Sequence, residues 1–165
     1  MFSVASQTPD GPIDFSRPSE PPLAPSAATA AKDVLRVPLD VFLYEDDLEI
    51  LDTLVDIWIG ETHWNVTPFS SASWLDERAR AKPPHVIFAH AHVSGGAAED
   101  QVRSLFTWLR KERGDGIILI VNSAASYLYS YPQADAQVRK PISLRPVLDL
   151  ICKLVWKRRD ALSIG

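Results

Sequence analysis

Four short stretches of this chain carry side chains able to do chemistry together. Glu45-Asp46-Asp47 supplies carboxylates, His90-Ala91-His92 two imidazoles, Asn122-Ser123 a hydroxyl at its second position, and Lys140-Pro141 an ammonium. Two histidines one residue apart on a strand share a face. His90 and His92 can therefore converge with Glu45 and Asp46 into two nitrogen and two oxygen donors, a set suited to Zn2+ or another transition ion. Lys140 opposes such a cation and can instead pair directly with Glu45 or Asp46. An acidic run at a helix start also complements the helix dipole, so Glu45-Asp46-Asp47 acquires meaning only from its place among the others.

For these stretches to meet, the elements before them must end at a common edge. Short apolar runs alternate with segments of helical period from Val41 onward. Val41 to Tyr44 reads as a first strand, followed by a helix carrying Leu48, Leu51, Leu54, Val55 and Trp58 that closes at Gly60. His63 to Thr67 reads as a second strand and Ser70 to Ala79 as a helix with hydroxyls for its cap, stopped by Pro83-Pro84. His85 to Ala89 is a third strand. A helix from about Glu99 then places Val102, Leu105, Trp108 and Leu109 inward and ends at Gly114. Gly116 to Val121 is a fourth strand, a short stretch through Tyr127, Tyr129 and Tyr131 an abbreviated helix, and Ala136 to Arg139 a weak fifth strand. The last helix, Arg145 to Arg158, turns Val147, Leu148, Ile151, Leu154 and Val155 inward. This alternation predicts an α/β fold, a doubly wound parallel sheet with helices on both faces. Ligands of such sheets sit outside the carboxyl ends of the strands, which is where all four stretches fall.

Composition narrows the function classes. The chain has 165 residues, 46% hydrophobic and 23% charged, with a net charge of −4; one domain fits this length, and no basic field exists to hold a nucleic acid. The start of the chain lacks a signal-peptide pattern, and the run from Gly116 to Val121 is far too short to span a bilayer. The single cysteine, Cys152, cannot form an internal disulfide, so a cytoplasmic setting is expected. Seven of the 13 prolines precede residue 39. This sets residues 1–37 apart as a disordered Pro/Ala/Ser-rich tail, with 38–160 as the folded domain and 161–165 as a C-terminal tail.

In order and spacing, the acidic pair, the strand-three end, the hydroxyl and the Lys-Pro dipeptide resemble the receiver domains of two-component response regulators, over about Val41 to Lys157. The resemblance implies a flavodoxin-like five-stranded sheet of order 2-1-3-4-5. It also implies that Glu45 and Asp46 correspond to the family's Mg2+-binding acidic pair, Ser123 to its phosphate-binding hydroxyl, and Lys140 to its lysine, followed by Pro141 across a cis peptide. The run Pro84-His-Val-Ile-Phe-Ala-His90 aligns with the stretch that ends in the family's phosphoacceptor aspartate, so His90 occupies the acceptor position. No aspartate lies between Asp76 and Asp100. Gln137 stands where a switching aromatic is usual, and the segment from Ser123 to Lys140 is about a helical turn short, so the fourth helix is shortened.

An imidazole cannot form an acyl phosphate, and losing a carboxylate weakens Mg2+ binding. The expected function is that of a stand-alone pseudo-receiver in bacterial two-component or phosphorelay signal transduction. Such a protein is not an enzyme. It needs no cofactor, binds Mg2+ weakly at most, and acts through phosphorylation-independent contact with a protein partner, a signalling kinase or regulator, or a second copy of itself. The alternative is a metal-binding protein or metal-dependent hydrolase built on Glu45, Asp46, His90 and His92. Neither reading involves nucleic acid or membrane.

Overall fold

The structure, a computed structural model, describes residues 33–91, 96–124 and 131–164. Five strands, β1 (Asp40–Tyr44), β2 (Asn65–Phe69), β3 (Val86–Ala91), β4 (Ile118–Ser123) and β5 (Ala136–Arg139), form one parallel sheet of order β2-β1-β3-β4-β5. This is the expected doubly wound, flavodoxin-like topology. Four helices follow strands: α1 (Leu48–Glu61), α2 (Ala72–Ala81), α3 (Ala97–Arg113) and α4 (Leu144–Arg158), with a further helical turn over 33–36.

The two-residue period of the central strands sorts their side chains between two cores. Val41, Leu43, Val86, Phe88, Ile118 and Ile120 pack beneath α1 and α4, whereas Phe42, Tyr44, Ile87, Ala89, Ala91, Leu119 and Val121 pack beneath α2 and α3. Trp58 of α1 anchors the first core against Trp64 and Phe88. Asp47, third of the acidic run, is the N-cap of α1, its carboxylate accepting from the Glu49 and Ile50 amides. Gly114 closes α3 at φ 52°, a left-handed geometry that disfavours side-chain-bearing residues.

Several boundaries differ from the sequence expectation. The second strand begins at Asn65 rather than His63, because the His63 amide donates to Leu35 O and the Trp64 indole to Val34 O. Ladder pairing with β1 starts only with Asn65 N to Leu39 O. Strands β3 and β4 run two residues past their expected ends, pairing His90 with Asn122 and Ala91 with Ser123. Ser71 takes the N-cap position of α2 without a capping side-chain bond. The packed unit also exceeds 38–160: Val34 and Leu162 are both buried in the α1/α4 core, so the apolar residues flanking the expected limits belong to the fold.

Residues 1–32, His92, Tyr127 and Tyr129 lie outside the described residues. Among the described residues no helix stands between β4 and β5. Tyr131 packs there against Phe106, with the Arg103 guanidinium 4.3 Å over its ring and Arg103 in turn 2.9 Å from the buried Glu99. No described helix is long and apolar enough to cross a membrane.

Candidate functional site

Glu45 follows β1 directly, and its side chain is 1% exposed. A buried carboxylate requires compensation, and an ammonium and an imidazole from distant parts of the chain lie against it. Lys140, just after β5, places Nζ 2.8 Å from Glu45 Oε2, and His90 of β3 places Nδ1 3.2 Å from the same oxygen. On its other side the imidazole faces Asp46, with Nε2 4.0 Å from Oδ1. The Lys140 amide donates to Ser123 O at 2.9 Å, and the Lys140–Pro141 peptide bond is cis, as the resemblance implies.

Burial alone would raise the Glu45 pKa. The hydrogen-bonding His90 and Lys140 outweigh it and bring the group from 4.5 down to about 2. Because the folded-state pKa is the lower one, Glu45 contributes stability that is fully present above its unfolded value and disappears as pH falls toward 2. The shift corresponds to about 3 kcal/mol. Urea midpoints measured from about pH 5 down to about pH 2 are expected to decline in the native protein. In Glu45→Gln the decline should be visibly shallower; equal slopes would mean that the pairing does not discriminate the ionised form.

The structure brings Glu45, Asp46, His90 and Lys140 together, and Pro141 lies beside them. Ser123 meets this group through its backbone, its carbonyl accepting from the Lys140 amide, and it is in register with Ala91 in the ladder. Asn122 is paired with His90 in the ladder and fully buried, with neither Oδ1 nor Nδ2 bonded to any described residue. Sequence reasoning gave Asn122 no role. Continuing the alternation of the apolar run Ile118-Leu-Ile-Val121 by one position would have found it.

Among the described residues, Glu45, Asp46 and His90 each offer a ligand atom within 4.8 Å of the others. Mg2+ does not fit this set. It demands oxygen ligands, one of the three donors is an imidazole nitrogen, and Glu45 is already held by an ammonium. Cys152 is buried, and its thiol is pushed up to about 11 chiefly by that burial, so it is chemically inert.

No family model matches the chain, and no curated protein matches it in sequence. Solved structures do resemble it. A CheY-like receiver domain from Methanospirillum hungatei superposes with a TM-score of 0.62 at 17% identity, over 74% of this chain and 98% of that one. The receiver domain of a putative LuxO repressor from Vibrio parahaemolyticus gives 0.62 at 13%, over 78% and 99%. The response regulator TrrA from Thermotoga maritima, in complex with Mg2+ and BeF, gives 0.59 at 15%, over 70% and 98%. The chain has the fold of response-regulator receiver domains.

Proposed function

We propose that this chain is a pseudo-receiver of bacterial, cytoplasmic signal transduction. It accepts no phosphoryl group on aspartate and acts by phosphorylation-independent contact with a protein partner, a kinase, a regulator or a second copy. The observation that carries this reading is the state of Glu45. In a receiver-like frame with an imidazole at the strand-three end, the buried carboxylate is satisfied internally by His90 at 3.2 Å and Lys140 at 2.8 Å. The oxygen nucleophile that forms an acyl phosphate is missing from that position, and the lysine that would meet a phosphoryl group is engaged elsewhere. With its pocket neutralised, the protein has no chemistry of its own to perform, and its surface is left to act. Large apolar side chains support this: Trp74 is 66% exposed and Leu48 61%.

Incubation with acetyl phosphate and Mg2+ followed by intact-mass measurement is expected to leave the chain unmodified. Stoichiometric, hydroxylamine-sensitive phosphorylation would overturn the proposal.

A further inference from the structure

We propose that the groove between α2 and the edge strand β2 is a docking site for a proline-rich segment in the polyproline II conformation, and that its occupant is residues 17–25 of the same chain. This goes beyond the function proposed above and does not rest on it, since the contact requires no partner.

Helical spacing builds one wall of the groove. Trp74, Glu77, Arg78 and Ala81 recur at i, i+3, i+4 and i+7 and so share a face of α2, away from the buried Leu75 and Ala79. Thr67 and Phe69 of β2 supply the other wall, and the six side chains enclose about 370 Å3. Among the described residues Trp74 is the most exposed large apolar side chain, at 66%. Its ring offers an apolar surface to a ligand and its indole N–H a donor to a carbonyl.

The adjoining sheet edge selects the kind of ligand. The Asn65 amide donates to Leu39 O, and Phe69 O accepts from the Glu45 amide. Asn65, Thr67 and Phe69 therefore direct their backbone groups to β1, and Val66 and Pro68 direct theirs outward from the edge. Pro68 has no N–H to give. An added strand, which depends on ladder bonds, is interrupted there. A polyproline II helix needs no ladder and docks by packing its prolines on aromatic side chains.

The chain carries such a segment. Residues 17–25 read Arg-Pro-Ser-Glu-Pro-Pro-Leu-Ala-Pro. At three residues per turn, a polyproline II helix of this sequence has Pro18 and Pro21 on one edge, Pro22 and Pro25 on the next, and Arg17 and Glu20 on the third. Two edges suit the apolar groove, and the third brings a cation and an anion to the exposed Glu77 and Arg78 on its rim.

The segment is also tethered close by. The helical turn over 33–36 abuts the residues leading into β2, with the His63 amide on Leu35 O at 2.9 Å and the Trp64 indole on Val34 O at 3.3 Å. From Ser26 to Lys32 the extended chain reaches about 24 Å, whereas β2 is only about 13 Å long. So short a tether gives an effective concentration on the order of millimolar, which favours the chain's own segment over that of another molecule. A partner that meets Trp74 must then displace it.

The test is hydroxyl-radical footprinting of the full chain, with oxidation of each tryptophan read by mass spectrometry. In a variant carrying Pro18→Ser, Pro21→Ser, Pro22→Ser and Pro25→Ser, Trp74 should oxidise several times faster than in the native chain, while Trp156 keeps its rate. All four positions precede the packed unit, and an unchanged thermal midpoint checks that the fold is intact. Protection of Trp74 in the native chain should be the same at every protein concentration. Equal Trp74 rates in the two chains would overturn the proposal. So would an equal gain at Trp156, which places the segment elsewhere, or protection that grows with concentration, which assigns the groove to a second copy.

Discussion

Asp135→Ala is expected to destabilise the protein by about 3 kcal/mol, the lower end of what breaking a buried ion pair costs. That is a large part of the roughly 5–15 kcal/mol holding a typical domain together. Asp135 is 7% exposed and lies at the edge of the sheet opposite the candidate site. Its Oδ1 accepts from Arg158 Nη2 of α4 at 2.6 Å, and its Oδ2 from Arg110 Nη2 of α3 at 3.0 Å and from the Leu119 amide at 2.8 Å. One carboxylate thus ties helices from opposite faces of the sheet to the start of β4. Truncation leaves two guanidiniums short of an anion and a strand amide short of an acceptor. The guanidiniums keep 24% and 20% exposure, which places the cost at the lower end of the range. Asp115 is the control, since it lies 3.8 and 3.5 Å from the same two arginines but is 72% exposed. Asp115→Ala should therefore shift stability by less than about 1 kcal/mol. Urea denaturation followed by tryptophan fluorescence measures both variants. Similar midpoints for the two would show that Asp135 is not the tie between the helices.

That network was not legible in the sequence, and the reason is physical. Its members lie 23 and 25 positions apart and carry no periodicity; only the completed sheet brings their elements to one edge. What could be read was what local chemistry dictates. The apolar periods of α1 and α4, the glycine after α3 and the short β-branched runs placed every strand, and β5 falls on its expected residues, Ala136 to Arg139. Strand ends were the weak point. His90-Ala91 and Asn122-Ser123 do not look like strand, yet each pair extends the ladder because the other lies alongside to accept it. This cooperative extension is what brings Asn122, which sequence reasoning gave no role, alongside His90. The contact of Lys140 with Glu45 spans 95 positions, and it was anticipated only because ordered motifs suggested a shared strand edge.

His90→Asp should give the largest functional change of any single substitution in this chain. Without divalent cation the variant is expected to be less stable than the native protein by about 2 kcal/mol or more. A carboxylate about 4 Å from buried Glu45 meets a repulsion on the order of 4 kcal/mol at an effective dielectric of 20, of which the Lys140 ammonium offsets only part. Millimolar Mg2+ should restore stability in the variant while leaving the native protein unchanged, because an all-oxygen donor set is what that ion requires. Under the proposed pseudo-receiver reading, the same change supplies a carboxylate nucleophile. A carboxylate oxygen attacks phosphorus of acetyl phosphate, a new P–O bond forms, and the bond to acetate breaks, so the variant should gain the mass of one phosphoryl group in a Mg2+-dependent, hydroxylamine-sensitive form. Thermal unfolding with and without Mg2+ reads the first effect and intact mass the second. A variant that regains stability with Mg2+ yet takes up no phosphoryl group would mean that a carboxylate at position 90 is not enough for phosphoryl uptake. One that does neither would show that Glu45, Asp46 and Lys140 with a carboxylate at position 90 support neither Mg2+ binding nor phosphoryl uptake.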